Sequence, residues 1–329
     1  MLKLICRALA AGSLLIPLLG AGATDPADSP QPVQADSTPA VPDPVEAEYQ
    51  RLLEMDDAVA EEVDRWIREE MAQRSQGVGL SDVTLRARIL DRFRPVRQAY
   101  EDFLTRHPRH ARGHLAFGSF LNEIGEEELA VEHMEKSREL DPANPAAWNN
   151  LANHYGHRGP VRKAFEYYAQ AIELNPKEPV YYQNLAVAVY LFRRDAEAFY
   201  ALDEPAVFEK ALQLYRQAMQ LDPQNFVLAT EYAESFYGML PRGQVDRTAH
   251  PEKTREITDR AIEAWQAALA LARDDLQRQG VLIHLARNRY LAGRYEEAAA
   301  DLVPVTHEAL QTIKSRIQRN IDDGRGSAP

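Results

Sequence analysis

Three prolines, Pro108, Pro142 and Pro176, stand 34 residues apart, each just after a segment ending Thr-Arg-His, Glu-Leu-Asp or Glu-Leu-Asn. A fixed period of that length means the chain reuses one structural unit, so its 329 residues count units rather than globular domains. Between the prolines, apolar residues recur at three- and four-residue steps, the helix period, and each unit is expected to be two short helices. One such unit leaves an apolar face open, so neighbours must stack.

The most regular unit starts at Pro145 and carries Trp148, Leu151-Ala152, Tyr155, Gly159, Ala164, Tyr168, Ala171 and Pro176. Ala152 and Ala164 are small enough for two helices to approach closely, while Trp148, Leu151, Tyr155 and Tyr168 fill the remaining space. This pattern resembles the tetratricopeptide repeat almost position by position. The preceding unit fits the same frame with His114, Phe117-Gly118, Leu121, Gly125, Ala130, Met134, Ser137 and Pro142. A degenerate unit lies before it, with Ser81 as a helix N-cap, Pro95 placed to open a second helix, and Tyr100, Phe103 and Pro108. After Pro176, Tyr182, Leu185-Ala186 and Val189 open a unit whose second helix, Ala211, Tyr215, Ala218 and Pro223, arrives late. Pro176 to Pro223 is 47 residues, the period of 34 plus 13. The next unit has Tyr232-Ala233 and Phe236, then Ala261, Trp265 and Ala268 about 16 residues beyond the expected place. A last one has Leu282, Leu285-Ala286, Gly293, Ala298 and Leu302.

The resemblance covers residues 77–304 and implies an all-α, right-handed superhelical solenoid of about six helix-turn-helix units with capping helices at both ends. It further implies that the first helices line a concave groove, which in this family holds peptides or other proteins. A helix carrying Leu310, Ile313, Ile317 and Ile321 within 305–329 is expected to close the core. At the other end, 45–76 reads as a helix with one apolar stripe of Tyr49, Leu52, Leu53, Val59, Val63, Trp66, Ile67 and Met71. That stripe suits a cap over the first repeat or, alternatively, self-association of an envelope-assembly protein.

Residues 1–23 have Lys3 and Arg7, an apolar stretch and the small residues Ala21-Gly22-Ala23, the anatomy of a secretory signal. The protein is therefore expected to be exported, to the periplasm or outside the cell, or held at the inner membrane if the signal stays uncut. Cys6, the one cysteine, lies in that signal, so disulfide and thiolate chemistry are not expected after cleavage. Residues 24–44 hold six prolines among small and acidic residues and read as an extended linker. The formal charge is −12; residues 1–23 contribute Lys3 and Arg7 and no acid, leaving the rest at −14. An acidic balance spread along helices argues against a nucleic-acid partner.

For function, the first helix of the best unit offers Asn149, Asn150, Asn153 and His157, followed by Asn184 in the next. Similar asparagines grip peptide backbones in chaperone-binding members of the family, but the flanking units carry Leu115, Ser119, Val227 and Glu231 where those members have lysine or arginine. Asn149, Asn153, His157 and Asn184 remain the groove candidates beside a generic structural role. The insertions at 191–208 and 237–256 supply Arg193, Arg194, Tyr200, Tyr237, Met239 and Arg242, side chains enriched at interface hot spots, which either bind or pack down onto the repeats. His110 and His114 are four apart on a helix, yet further zinc ligands are missing, so packing is expected rather than a metal. With no nucleophile and base constellation, the expectation is a scaffold without cofactor or catalysis, acting on a protein or peptide partner.

Overall fold

The computed structural model describes residues 43–75, 78–240 and 250–326. The expected signal at 1–23, the proline-rich stretch up to residue 42, and Arg242 lie outside the described residues. No strand occurs among those described, and the chain divides into two compact units, one ending at Leu174 and one starting at Asn175.

The first unit opens with an antiparallel hairpin of α1 (Pro44–Ser75) and α2 (Asp82–Arg106). Ser81 caps α2 as its sequence position suggests, its Oγ accepting from the Thr84 amide at 3.2 Å. Pro95 does not open a helix; it lies inside α2. An interior proline removes the hydrogen bond to the Asp91 carbonyl and costs about 3 kcal/mol. The apolar stripe runs through it, however, with Leu85, Ile89 and Phe93 before and Val96, Tyr100, Phe103 and Leu104 after, all buried. At roughly 1.5–3 kcal/mol per buried large side chain, a continuous stripe outweighs one lost bond.

That stripe packs on Tyr49, Leu52, Val59, Val63 and Ile67 of α1 in a single apolar cluster. Tyr100 Oη donates to Asp56 at 2.7 Å and Arg92 pairs with Glu62 at 2.8 Å, fixing the antiparallel register. Helix α1 therefore pairs with α2 as a hairpin, and its Tyr49 reaches on to the Arg112 carbonyl at the start of the following helix. With 32 and 25 residues, this hairpin is about twice as long as the following pairs. Those are α3 (Ala111–Ile124) with α4 (Glu127–Leu140), and α5 (Pro145–Arg158) with α6 (Val161–Leu174), each helix 14 residues long. Small residues make their seams. A Cβ on Gly118 would lie 2.9 Å from the Ala130 carbonyl oxygen, and Ala152 and Ala164 are fully buried at the matching places.

In the second unit, α7 (Pro179–Leu191) is apolar nearly all round, with Leu185 to Val189 buried without a break. Its pairing partner is α9 (Glu204–Leu221), and the first insertion between them folds as α8 (Arg193–Tyr200). The turn after α8 places Ala201 in the left-handed region at φ 52°, and Asp203 caps α9 by accepting from the Ala206 amide at 3.0 Å. Next come α10 (Phe226–Ser235) with a 3₁₀ turn (Phe236–Gly238), then α11 (Pro251–Leu271), α12 (Asp275–Leu291) and α13 (Tyr295–Leu302). Helix α14 (Gln311–Gly326) closes the end as expected, burying Ile317 and Ile321 against Ile283, Ala286, Ala298 and Leu302.

Candidate functional site

Within the first unit the polar residues of α5 are largely tied into packing. Asn149 is 3% exposed and its amide reaches Asn150 Oδ1 at 3.3 Å. Asn150 in turn donates to Ser119 Oγ at 3.1 Å, joining α5 to α3. Asn153 Oδ1 accepts from Tyr168 Oη at 2.6 Å, and burial pushes the Tyr168 phenol up. A hydroxyl in that position needs an acceptor, so Asn153 pins α6 to α5. His157, by contrast, is exposed at the end of α5. A second polar knot ties α4, α5 and α6: Lys163 donates to Tyr155 Oη at 2.6 Å, and Tyr155 donates to Glu135 at 2.9 Å.

In the second unit, Asn184 is half-buried on α7, one residue after Gln183. Gln183 Nε2 donates to Glu231 Oε2 of α10 at 2.9 Å. Glu231 is 7% exposed; burial pushes its carboxyl up to about 7, the Gln183 bond opposing and nearby Glu234 adding to the shift. Glu234, one turn on, is also pushed up by burial. In sequence Glu231 stands out only by not being basic, and no local spacing announces that 48 residues separate it from its partner Gln183.

The insertion residues divide. Arg193 lies over the rings of Tyr190 at 5.5 Å and Phe208 at 5.1 Å and donates to the Tyr190 carbonyl at 2.7 Å, so it packs down. A Cβ on Gly238 would meet Tyr190 Oη at 2.6 Å and Phe208 at 3.0 Å, so the roots of both insertions meet at these two rings. Tyr237 Oη lies 3.0 Å from His284 Nδ1 and accepts from Asn288 at 3.0 Å, while Met239 packs on the core of α10 and α11. Tyr200 is half-buried under the Lys210 ammonium at 4.2 Å, and burial pushes its phenol up to about 12. Arg194 alone of the described insertion candidates is exposed.

His110, His114 and His133 serve capping and packing. His114 Nε2 lies 3.1 Å from the Pro108 carbonyl, which can only accept, so that nitrogen carries the proton and Nδ1 accepts from His133 Nδ1 at 2.9 Å. Burial lowers both, His133 to about 4 with His114 as a lesser cause, so the pair stays neutral. His110 caps α3 by accepting from the Gly113 amide at 2.8 Å. Among the described residues no group of three or more His, Cys, Asp or Glu is placed to hold a metal, and no helix is long and apolar enough to cross a membrane.

Antiparallel helix pairs joined through small-residue seams define a helical-repeat protein. Residues 145–178 match the family model of the tetratricopeptide repeat, so the chain carries a tetratricopeptide repeat there. It is 31% identical over 85 residues to the photosystem I assembly protein Ycf3 of Rippkaea orientalis, an alignment spanning 25% of this chain and 49% of that protein. Against Ycf3 of Cyanophora paradoxa the figures are 31% over 99 residues, 30% of this chain and 57% of the relative. The chain thus spans about half the length of the curated relatives it matches. The C-terminal part of a TPR repeat-containing protein from Cytophaga hutchinsonii shares the fold, with a TM-score of 0.51 at 12% identity over 84% of this chain and 98% of that one.

Proposed function

We propose that this protein is a non-catalytic scaffold that holds a protein or peptide partner on the first helices of its repeats and serves the assembly of a complex in the cell envelope. The observation that carries the reading is the series of helix pairs around the tetratricopeptide repeat at 145–178, a fold whose members hold other proteins. The assembly role draws on the Ycf3 relatives, named as assembly proteins. The envelope location draws on the signal-like sequence at 1–23. Within the second unit, the first helices α7, α10 and α12 present Asn184, Glu234 and Arg287, and these are the recognition residues of the proposal. Self-association through α1 is the second reading, with less support because Tyr49, Leu52, Val59, Val63 and Ile67 of its stripe pack on α2.

The test is affinity capture with the full chain from envelope and soluble fractions. The double change Asn184→Ala with Arg287→Glu is expected to remove the partner, while Gln213→Ala on the second helix α9 leaves it bound. Equal recovery with both variants overturns the binding surface, and recovery of the protein only from the cytoplasmic fraction overturns the location.

A further inference from the structure

Among the described residues of the second unit, Glu231 is the one carboxylate that is more than nine-tenths buried and accepts from a neutral amide instead of a cation. It bridges the first helices of two consecutive repeats, since Gln183 belongs to α7 and Glu231 to α10. A charge in such a place is held against its desolvation by one hydrogen bond and, among the described residues, by no ion pair. We propose that the Glu231 carboxyl makes the contact between α7 and α10 responsive to pH, tighter when the carboxyl is protonated and looser when it is ionised.

The surroundings agree from each side. On its own helix Glu234 is a second, half-buried carboxyl, so it repels rather than neutralises. From α9 comes Tyr215, fully buried and held protonated by burial and by Glu231 itself. From α7 come Gln183 and the half-buried phenol of Tyr190. Arg260 of α11 is committed to Glu209 at 2.7 Å, and Arg216 of α9 to Tyr232 at 3.4 Å. Burial raises Glu231 from 4.5 to about 7, so the fold is fully stabilised below pH 4.5 and loses that stability as pH rises through about 7. A partner held on α7 and α10 therefore meets a surface whose spacing depends on pH across neutrality.

Glu231→Gln keeps an acceptor for Gln183 and removes the charge. In thermal melts of the full chain, the variant is expected to match the wild type near about pH 5 and to melt a few degrees higher near about pH 8.5. A difference that stays constant with pH overturns the proposal. Should the variant fold poorly, hydrogen exchange of the wild type decides: protection of α7 and α10 amides, corrected for the intrinsic rate, is expected to fall between about pH 6 and 8, and unchanged protection overturns it. Glu234→Gln is the control; if it alone abolishes the pH dependence, the assignment to Glu231 is wrong.

Discussion

Replacing Pro95 by alanine is expected to stabilise the first unit. Pro95 is exposed in the middle of α2, so the change removes no packing, and it restores an amide for the Asp91 carbonyl. Proline in a helix interior is worse than alanine by about 3 kcal/mol. Alanine gives back roughly 0.4–1 kcal/mol through the freer unfolded chain. The net gain is therefore about 2 kcal/mol. It can be read by urea unfolding in a Trp265→Phe background, where the remaining indoles, Trp66 and Trp148, both belong to the first unit. If a helix instead began at Pro95, as the sequence alone suggests, the proline would be favourable there and the change neutral or harmful. No gain in stability refutes the continuous α2.

Two further perturbations probe the same unit. Asp56 is pushed by burial from 3.8 up to about 6, so stability is full below pH 3.8 and is lost as pH rises through about 6. Asp56→Asn, which still accepts from Tyr100, should gain up to about 3 kcal/mol at pH 8 and almost nothing near about pH 4. Urea midpoints at the two pH values test it, and a pH-independent difference contradicts it. Asn153→Ala strands the buried Tyr168 hydroxyl and should cost about 1–3 kcal/mol, with Tyr168→Phe in the same chain recovering part of the loss. An unfolding midpoint unchanged by Asn153→Ala would return that residue to recognition.

The repeat was legible because its signal is periodic: Trp148, Ala152, Ala164 and Pro176 each answer to a local packing need that recurs every 34 residues. The seam alanines, the Ser81 cap and the closing helix with Ile317 and Ile321 all lie where the pattern puts them. Pro95 was misleading because a proline at a helix start and one tolerated mid-helix look alike from their neighbours; only the stripe of Phe93, Val96 and Tyr100, packed against α1, decides. The site was harder. Asn149 and Asn153 have the composition of a binding surface, but whether an amide faces a partner or a neighbour's hydroxyl depends on the neighbouring helix, here on Tyr168. Tyr237 and Met239 likewise resembled interface residues and root the second insertion instead. Gln183 and Glu231 escape any repeat-based search because the 13-residue insertion separates them irregularly.

The claim that partners are held on the first helices is tested most directly by photo-crosslinking in cells. A crosslinking amino acid is placed singly at Asn184, Glu234 and Arg287, on α7, α10 and α12, and for comparison at the exposed Gln213 and Gln266 on the second helices α9 and α11. Adducts to a common protein from the first three positions, and none from the other two, are the predicted result. Adducts confined to Gln213 and Gln266 would contradict it.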